Sequence, residues 1–123
     1  MGFTYHINKG NGVVFTVWEG ELDVESFEML QRALRDDPDF EPYYSVLTDL
    51  RDVTKTDIPP NKMRQIAQNS PFDGSGRRAF LAGSDLMHAM SRVYQAYRAE
   101  GDDRTKQFRD MTEARKWLGL PLT

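Results

Sequence analysis

The acidic residues of the segment DLRDVTKTDIPPNKM, residues 49–63, are the first candidates for chemistry. Asp49 lies near the end of the apolar run YYSVLTDL, which predicts a central strand, and the carboxyl edge of such a sheet is where α/β proteins usually bind ligands. A phosphate-accepting aspartate at that edge would need neighbouring carboxylates to hold Mg²⁺, and a nearby lysine. Glu19 and Glu21 follow an earlier strand, however, and Lys106 lies inside a later one. We therefore favour a role for Asp49 in capping the turn.

The two histidines are a second candidate. His6 lies on the first predicted strand, and His88 lies on a predicted helix three residues after Asp85, where a His–Asp dyad could form. A metal site or a catalytic triad would need further partners in space, and an ordinary pair on a helix surface explains the spacing more simply. The chain has no cysteine, no nucleophile elbow and no phosphate-loop motif. We expect a protein that is not an enzyme and that uses neither a cofactor nor a metal.

Composition narrows the classes of partner. The net charge is −3 and the pI is about 5.3. No predicted helix face concentrates lysine and arginine, so nucleic acid is not an expected partner. No apolar run approaches the ~20 residues that a membrane-spanning helix needs. The absence of cysteine and of a signal peptide leads us to expect a cytoplasmic protein.

The elements that must position these residues alternate along the chain. FTYHI and VVFTVWEG flank the turn NKGNG and predict a hairpin, and later strands are predicted at YYSVLTDL, RRAFLAG and TKQFRD. Helices are predicted after Asp23 as N-cap, at PPNKMRQIAQNSP, from Ser84 or Asp85 to Gly101, and from a Thr112 cap to Gly119. The order ββαβαβαβα predicts one α/β domain over residues 1–123. Its five-stranded mixed sheet has an antiparallel first strand and is accompanied by four helices.

The third predicted helix has an unusually wide apolar arc. Two neighbouring stripes share it, and their residues are Leu86, Met90, Val93 and Tyr97 in one and Met87, Ser91 and Tyr94 in the other. This arc is wider than one core-facing stripe requires. The excess could pack under a loop, form a homodimer surface, or line an apolar pocket that uses adaptable methionines. Arg92 could pair with an anionic head group, with Asp85 or with Glu100.

The element order and one motif resemble the STAS domain, the fold of bacterial anti-sigma factor antagonists of the SpoIIAA type. The likeness covers nearly the whole chain and includes GELD at residues 20–23. Members of that family commonly carry D-L-S-x-V-x-x-x-D-S-S-G between strand three and helix two. The matching positions here are Asp49, Leu50, Val53 and Asp57.

The same motif differs from the family pattern at the position that is phosphorylated in the antagonists. The antagonists are phosphorylated on a serine directly after the second aspartate, and this chain has Ile58 there, followed by Pro59 and Pro60. Ile58 has no hydroxyl group, so the resemblance implies the fold without the phosphorylation switch. The prolines predict a rigid helix start, capped by Asp57 or Thr56.

A looser resemblance links the chain to small stand-alone bacterial proteins of the same fold. The positions that carry it are Arg92, Tyr94, Ala114, Trp117 and Leu118. Some members of the wider fold, including CRAL-TRIO relatives, bind lipids or other apolar ligands.

Two functions from different classes follow as expectations. The first is a non-enzymatic interaction or regulatory module that binds another protein or itself, as a homodimer, through the exposed part of helices two and three. The alternative is a small carrier or sensor for an apolar or lipid-like ligand between the sheet and helix three. The candidate ligand or interface residues are Phe80, Met87, Met90, Arg92, Tyr94 and Tyr97.

Overall fold

The computed structural model describes residues 2–97 and 104–121 and contains a five-stranded sheet with four helices in that part of the chain. The strands are β1 Gly2–Asn8, β2 Val13–Leu22, β3 Ser45–Thr56, β4 Arg78–Ala82 and β5 Thr105–Phe108. The helices are α1 Val24–Asp36, α2 Pro60–Gln68, α3 Asp85–Tyr97 and α4 Met111–Leu118. The order ββαβαβαβα is the predicted one.

The strands lie in the sheet in their order along the chain. β1 pairs antiparallel with β2, and every later neighbour pair is parallel, as predicted. Alternate residues of β3 enter two different cores, because successive side chains of a strand point to opposite faces. Val46 and Leu50 join the main core with α1, α2 and α3, and Leu47 joins a smaller core with Ala114 of α4. Three helices therefore cover one face of the sheet, and α4 covers part of the other.

The predicted end of the third strand at Leu50 is wrong. β3 continues to Thr56 because β2 is long enough to pair with it, through two register shifts, as far as Leu22 opposite Thr56. The Thr56 hydroxyl donates a hydrogen bond of 3.0 Å to the carbonyl oxygen of Leu22. The polar sequence RDVTKT is thus a strand extension of the sheet, and the loop before α2 is shorter than predicted.

Two predicted helix caps are also wrong. α2 follows Pro59 without any side-chain cap, so neither Asp57 nor Thr56 has that role. α4 begins at Met111, where the Asp110 carboxylate accepts the Glu113 N–H at 3.3 Å. Asp110 has the extended backbone of an N-cap residue, and aspartate is favoured at that position. The helix therefore starts ahead of the predicted Thr112 cap.

The remaining helix ends agree with the prediction where the structure describes them. Ser84 caps α3, because its Oγ accepts the Met87 N–H at 3.2 Å. Gly119 ends α4 with a φ of 75°, a conformation that suits glycine. The predicted end of α3 at Gly101 lies outside the described residues.

Asp23 caps α1 as predicted, and its charge links stability to pH. Its carboxylate accepts the Ser26 N–H at 2.8 Å, and this hydrogen bond lowers the pKa of Asp23. A lowered folded-state pKa gives stability that is present above the unfolded pKa, about 4, and is lost as the pH falls through the folded value. We expect Asp23→Ala to lower the unfolding free energy by about 1 kcal/mol at neutral pH, and Asp23→Asn to lower it less.

Urea denaturation at neutral pH and near pH 3 checks this expectation. The difference in unfolding free energy between the wild type and Asp23→Ala should become smaller near pH 3, because the Asp23 carboxylate is protonated there. An equal gap at both pH values would show that the charge of Asp23 contributes nothing to the cap.

Candidate functional site

The inner stripe of α3 faces the sheet. Met87 and Ser91 are buried, and the Tyr94 ring meets Phe80 of β4 edge to face at 5.3 Å between centroids. Met87, Met90 and Tyr94 all pack in the main core. This stripe therefore holds α3 on the sheet.

The outer stripe of α3 reaches the surface. Leu86 is 57% exposed and Val93 is 42% exposed, and the seven-residue spacing puts them on one face of the helix. Beside them, the guanidinium carbon of Arg64 on α2 lies 5.5 Å from the centre of the Tyr97 ring. The wide apolar arc thus divides between core and surface. We call Leu86, Val93 and the exposed Ala89 between them the outer α3 face.

Asp85 of α3 has its strongest partner outside the helix. It accepts a hydrogen bond of 2.6 Å from Nη2 of Arg109, which lowers the pKa of Asp85. The charge of His88, the partner predicted on the helix surface, lowers the pKa of Asp85 further but contributes less than Arg109. Arg92 is exposed and makes no ion pair within the described residues, and its proposed pairing with Glu100 lies outside them.

A small pocket lies on the face of the sheet that α1, α2 and α3 cover. Its cavity is about 50 Å³, and Trp18 and Phe27 form part of its apolar wall. Phe80 and Tyr94 line it as the carrier hypothesis predicted, whereas Met87, Met90 and Tyr97 do not. Ligand pockets usually measure about 300–1,000 Å³. This cavity is too small to enclose a lipid.

Arg78 is the residue of this pocket that sequence reasoning missed. Its side chain lines the cavity although the residue is only 3% exposed, and its Nε donates a hydrogen bond of 3.1 Å to Oγ1 of Thr105. Within the run RRAFLAG, Arg78 shares a face with Phe80 and Ala82, which point toward the helices. The sequence signal that could have identified Arg78 is its spacing, because it lies two residues before Phe80 and therefore on the same, inward face of the strand.

Asp49 is buried in β3 and is held by its neighbour Arg51. The Arg51 Nε and Nη2 donate to the two carboxylate oxygens at 3.0 and 2.9 Å, and the Arg51 backbone N–H donates at 3.1 Å. This hydrogen bonding raises the pKa of Arg51. The predicted turn cap is thus a forked ion pair inside a strand, which leaves Asp49 bound to a cation of its own chain.

The predicted switch-loop residues do not form one site. Asp49 and Asp57 are separated by an extended strand segment of roughly 20 Å. Asp57 is exposed, Ile58 packs against the main core, and Pro59 and Pro60 lead into α2. No group of three or more potential metal ligands occurs among the described residues.

Comparisons with known proteins identify the class of fold. No protein family model matches the sequence, and no curated protein does. Among solved structures, the chain is similar to an uncharacterized protein of the DUF3478 family, with a SpoIIAA-like fold, from Shewanella loihica PV-4. The two share 19% sequence identity over 95% of this chain and 94% of that chain, with a TM-score of 0.63. The chain therefore has the SpoIIAA-like, or STAS, fold that its sequence predicted.

In the described part of the chain, no helix has the length and apolar character that a membrane span requires.

Proposed function

We propose that the protein is a non-enzymatic interaction module of the cytoplasm that binds a protein partner through the outer α3 face. The observation that supports this most is the exposure of Leu86 and Val93 on one side of a helix whose other side packs on the sheet through Met87. Neighbouring apolar side chains of this kind are typical of surfaces that another protein covers.

The chemistry around the outer α3 face indicates what the partner should offer. Arg64 lies beside it on α2, and Arg92 lies on α3 itself, and both are exposed. Cations at the rim of an apolar patch favour a partner whose apolar residues are flanked by acidic ones. A different protein with acidic residues around an apolar patch fits this description better than a second copy, because a symmetric dimer through this face would bring the arginines of both copies together.

The proposal assigns no catalytic step and no phosphorylation switch. Asp49 is engaged by Arg51, and position 58 is an isoleucine. Nucleic acid is not the proposed partner, because the net charge of the chain is −3 and nucleic-acid binding depends on cations that neutralise phosphates.

Charge placed on the outer α3 face tests the proposal. We expect Leu86→Glu and Val93→Glu each to weaken partner binding by about tenfold or more, because a buried carboxylate without a partner is costly. Binding is measured by affinity capture from the host lysate with quantitative mass spectrometry, and by native mass spectrometry for a second copy.

The matched control is Met29→Glu on α1, since Met29 is also an exposed apolar residue, at 39%. Circular dichroism should show all three variants folded. Capture by both α3 variants at the wild-type level would reject this face as the binding surface.

A second function, a carrier or sensor, is favoured by the pocket beside Trp18. Its wall is mostly apolar with a few polar groups, as in small-molecule sites, and its volume of about 50 Å³ limits the ligand to one far smaller than the lipid expected from the sequence. The two functions use different surfaces, so a single chain can have both.

A further inference from the structure

We propose that the free edge of β1 pairs with β1 of a second copy of this chain, so that the two sheets join across a two-fold axis. β1 is one edge of the sheet, whereas α3 packs against β4 and β5 at the other edge. The inference therefore concerns a different surface from the outer α3 face and is independent of the function proposed for that face.

The two edges of the sheet differ in how they are protected. Edge strands have unpaired backbone groups, and proteins usually protect them with short strands, proline, bulges or charged side chains, lysine above all. β5 fits this rule, because it has four residues and carries the exposed Lys106. β1 has seven residues, GFTYHIN, with no proline, lysine, arginine or acidic residue among them. Among the described strands, β1 is thus the unprotected edge.

The backbone groups at this edge can be located from the hydrogen bonds of β2. The Gly12 carbonyl oxygen accepts the Ser45 N–H at 2.9 Å, so Gly12 directs its backbone groups toward β3. These directions alternate along a strand, so the odd-numbered residues from 13 to 17 bond to β1, where their partners are even-numbered. The N–H and C=O groups of Phe3, Tyr5 and Ile7 therefore point away from the sheet.

The same three residues form an apolar row that is buried only in part. Phe3, Tyr5 and Ile7 pack against the main core from the edge of the sheet. An added strand extends this row only if its own apolar residues lie on the same face. A two-fold axis perpendicular to the sheet meets this condition for a second β1. With Tyr5 at the axis, Phe3 of each copy lies opposite Ile7 of the other, and each opposed pair exchanges hydrogen bonds.

The two ends of β1 have complementary charges. Glu19 pairs with Gly2, and its Cγ lies 3.0 Å from the position of a β-carbon on that glycine. Lys9 directly follows the strand, and its ion pair with Asp39 is exposed and weak. Antiparallel pairing brings Lys9 of each copy near Glu19 of the other. A second copy of this chain therefore matches the edge in hydrogen bonding, in apolar surface and in charge.

Charge substitutions on the other face of β1 test both the pairing and its register. Thr4 and His6 are exposed, and the register places Thr4 of one copy opposite His6 of the other. A chain with Thr4→Lys and His6→Lys brings like charges together twice, and we expect its self-association to weaken about tenfold or more. A chain with Thr4→Glu and His6→Glu should weaken equally. An equimolar mixture of the two chains should form heterodimers, because unlike charges then lie opposite each other.

Sedimentation equilibrium measures these associations. For the wild type we expect a Kd of roughly 10 to 100 µM, since the interface is small. The control is Lys106→Glu on the β5 edge, which should dimerise like the wild type. Circular dichroism should show that every variant is folded.

Three results would overturn the inference. A wild type that stays monomeric at about 0.5 mM would exclude self-pairing and leave the edge to an extended segment of another protein. Dimers that both charged chains retain at wild-type strength would place the contact elsewhere. Loss of both homodimers without a heterodimer in the mixture would reject the register. None of these results affects the proposed α3 interface, which Leu86→Glu and Val93→Glu test separately.

Discussion

Replacing Trp18 with alanine should lower the unfolding free energy by about 3 to 5 kcal/mol. The Trp18 ring packs between Phe3 of β1 and Phe27 of α1, at centroid distances of 5.0 and 4.7 Å. Its Nε1 also donates a hydrogen bond of 3.2 Å to Oγ1 of Thr16. The substitution would therefore separate the edge hairpin from the first helix. Since a domain of this size is stable by about 5 to 15 kcal/mol, the variant should be close to unfolding at 37 °C.

Urea denaturation followed by circular dichroism measures this loss. The control is Val17→Ala on the neighbouring residue, because Val17 points away from the main core and is exposed. It should change the unfolding free energy by about 0.5 kcal/mol or less. A loss below about 1 kcal/mol for Trp18→Ala would contradict the packing described for the main core.

Replacing Gly76 with alanine should destabilise the fold by about 1 to 3 kcal/mol. A β-carbon at this position would lie 2.5 Å from the carbonyl oxygen of Tyr44 and 2.8 Å from the amide nitrogen of Ser45. These are backbone atoms at the start of β3, and nearby hydrogen bonds fix them, including one of 2.9 Å from the Arg77 N–H to Oγ of Ser45. The backbone cannot yield without breaking such contacts.

A matched glycine in the hairpin provides the control for Gly76→Ala. A β-carbon on Gly10 would meet its nearest neighbour, the side-chain oxygen of Asn8, at 3.5 Å, which is ordinary contact. Neither glycine has a positive φ, so alanine is not strained by backbone conformation at either position. Gly10→Ala should leave stability unchanged or slightly raised. Equal effects of the two substitutions in denaturation experiments would disprove the close approach at Tyr44.

The order of the elements was predictable because apolar residues recur in each strand and helix with the spacing typical of that element. The inward alternation of β2 and the apolar face of α1 with Leu30 and Leu34 both follow local rules, and Asp23 marks a helix start. The extension of β3 was not predictable in this way. RDVTKT is polar and becomes a strand only because β2 pairs with it, which is a nonlocal cause.

The candidate sites were predictable only in part for a similar reason. Periodicity showed that the apolar arc of α3 was too wide, but the position of the helix on the sheet decides which half is buried. Met87 is buried and Leu86 is exposed as a result. Arg78 was missed because its burial depends on its neighbours across the sheet, such as Thr105 on β5.

Site-specific photo-crosslinking in the host cell tests the central claim, that the outer α3 face holds a protein. A photo-reactive amino acid is placed at Leu86 or at Val93 in separate chains, and at Met29 of α1 as the matched surface control. After irradiation, we expect a covalent adduct heavier than one 14.2 kDa chain from the two α3 positions and none from Met29. Adducts from Met29 with none from either α3 position would contradict it.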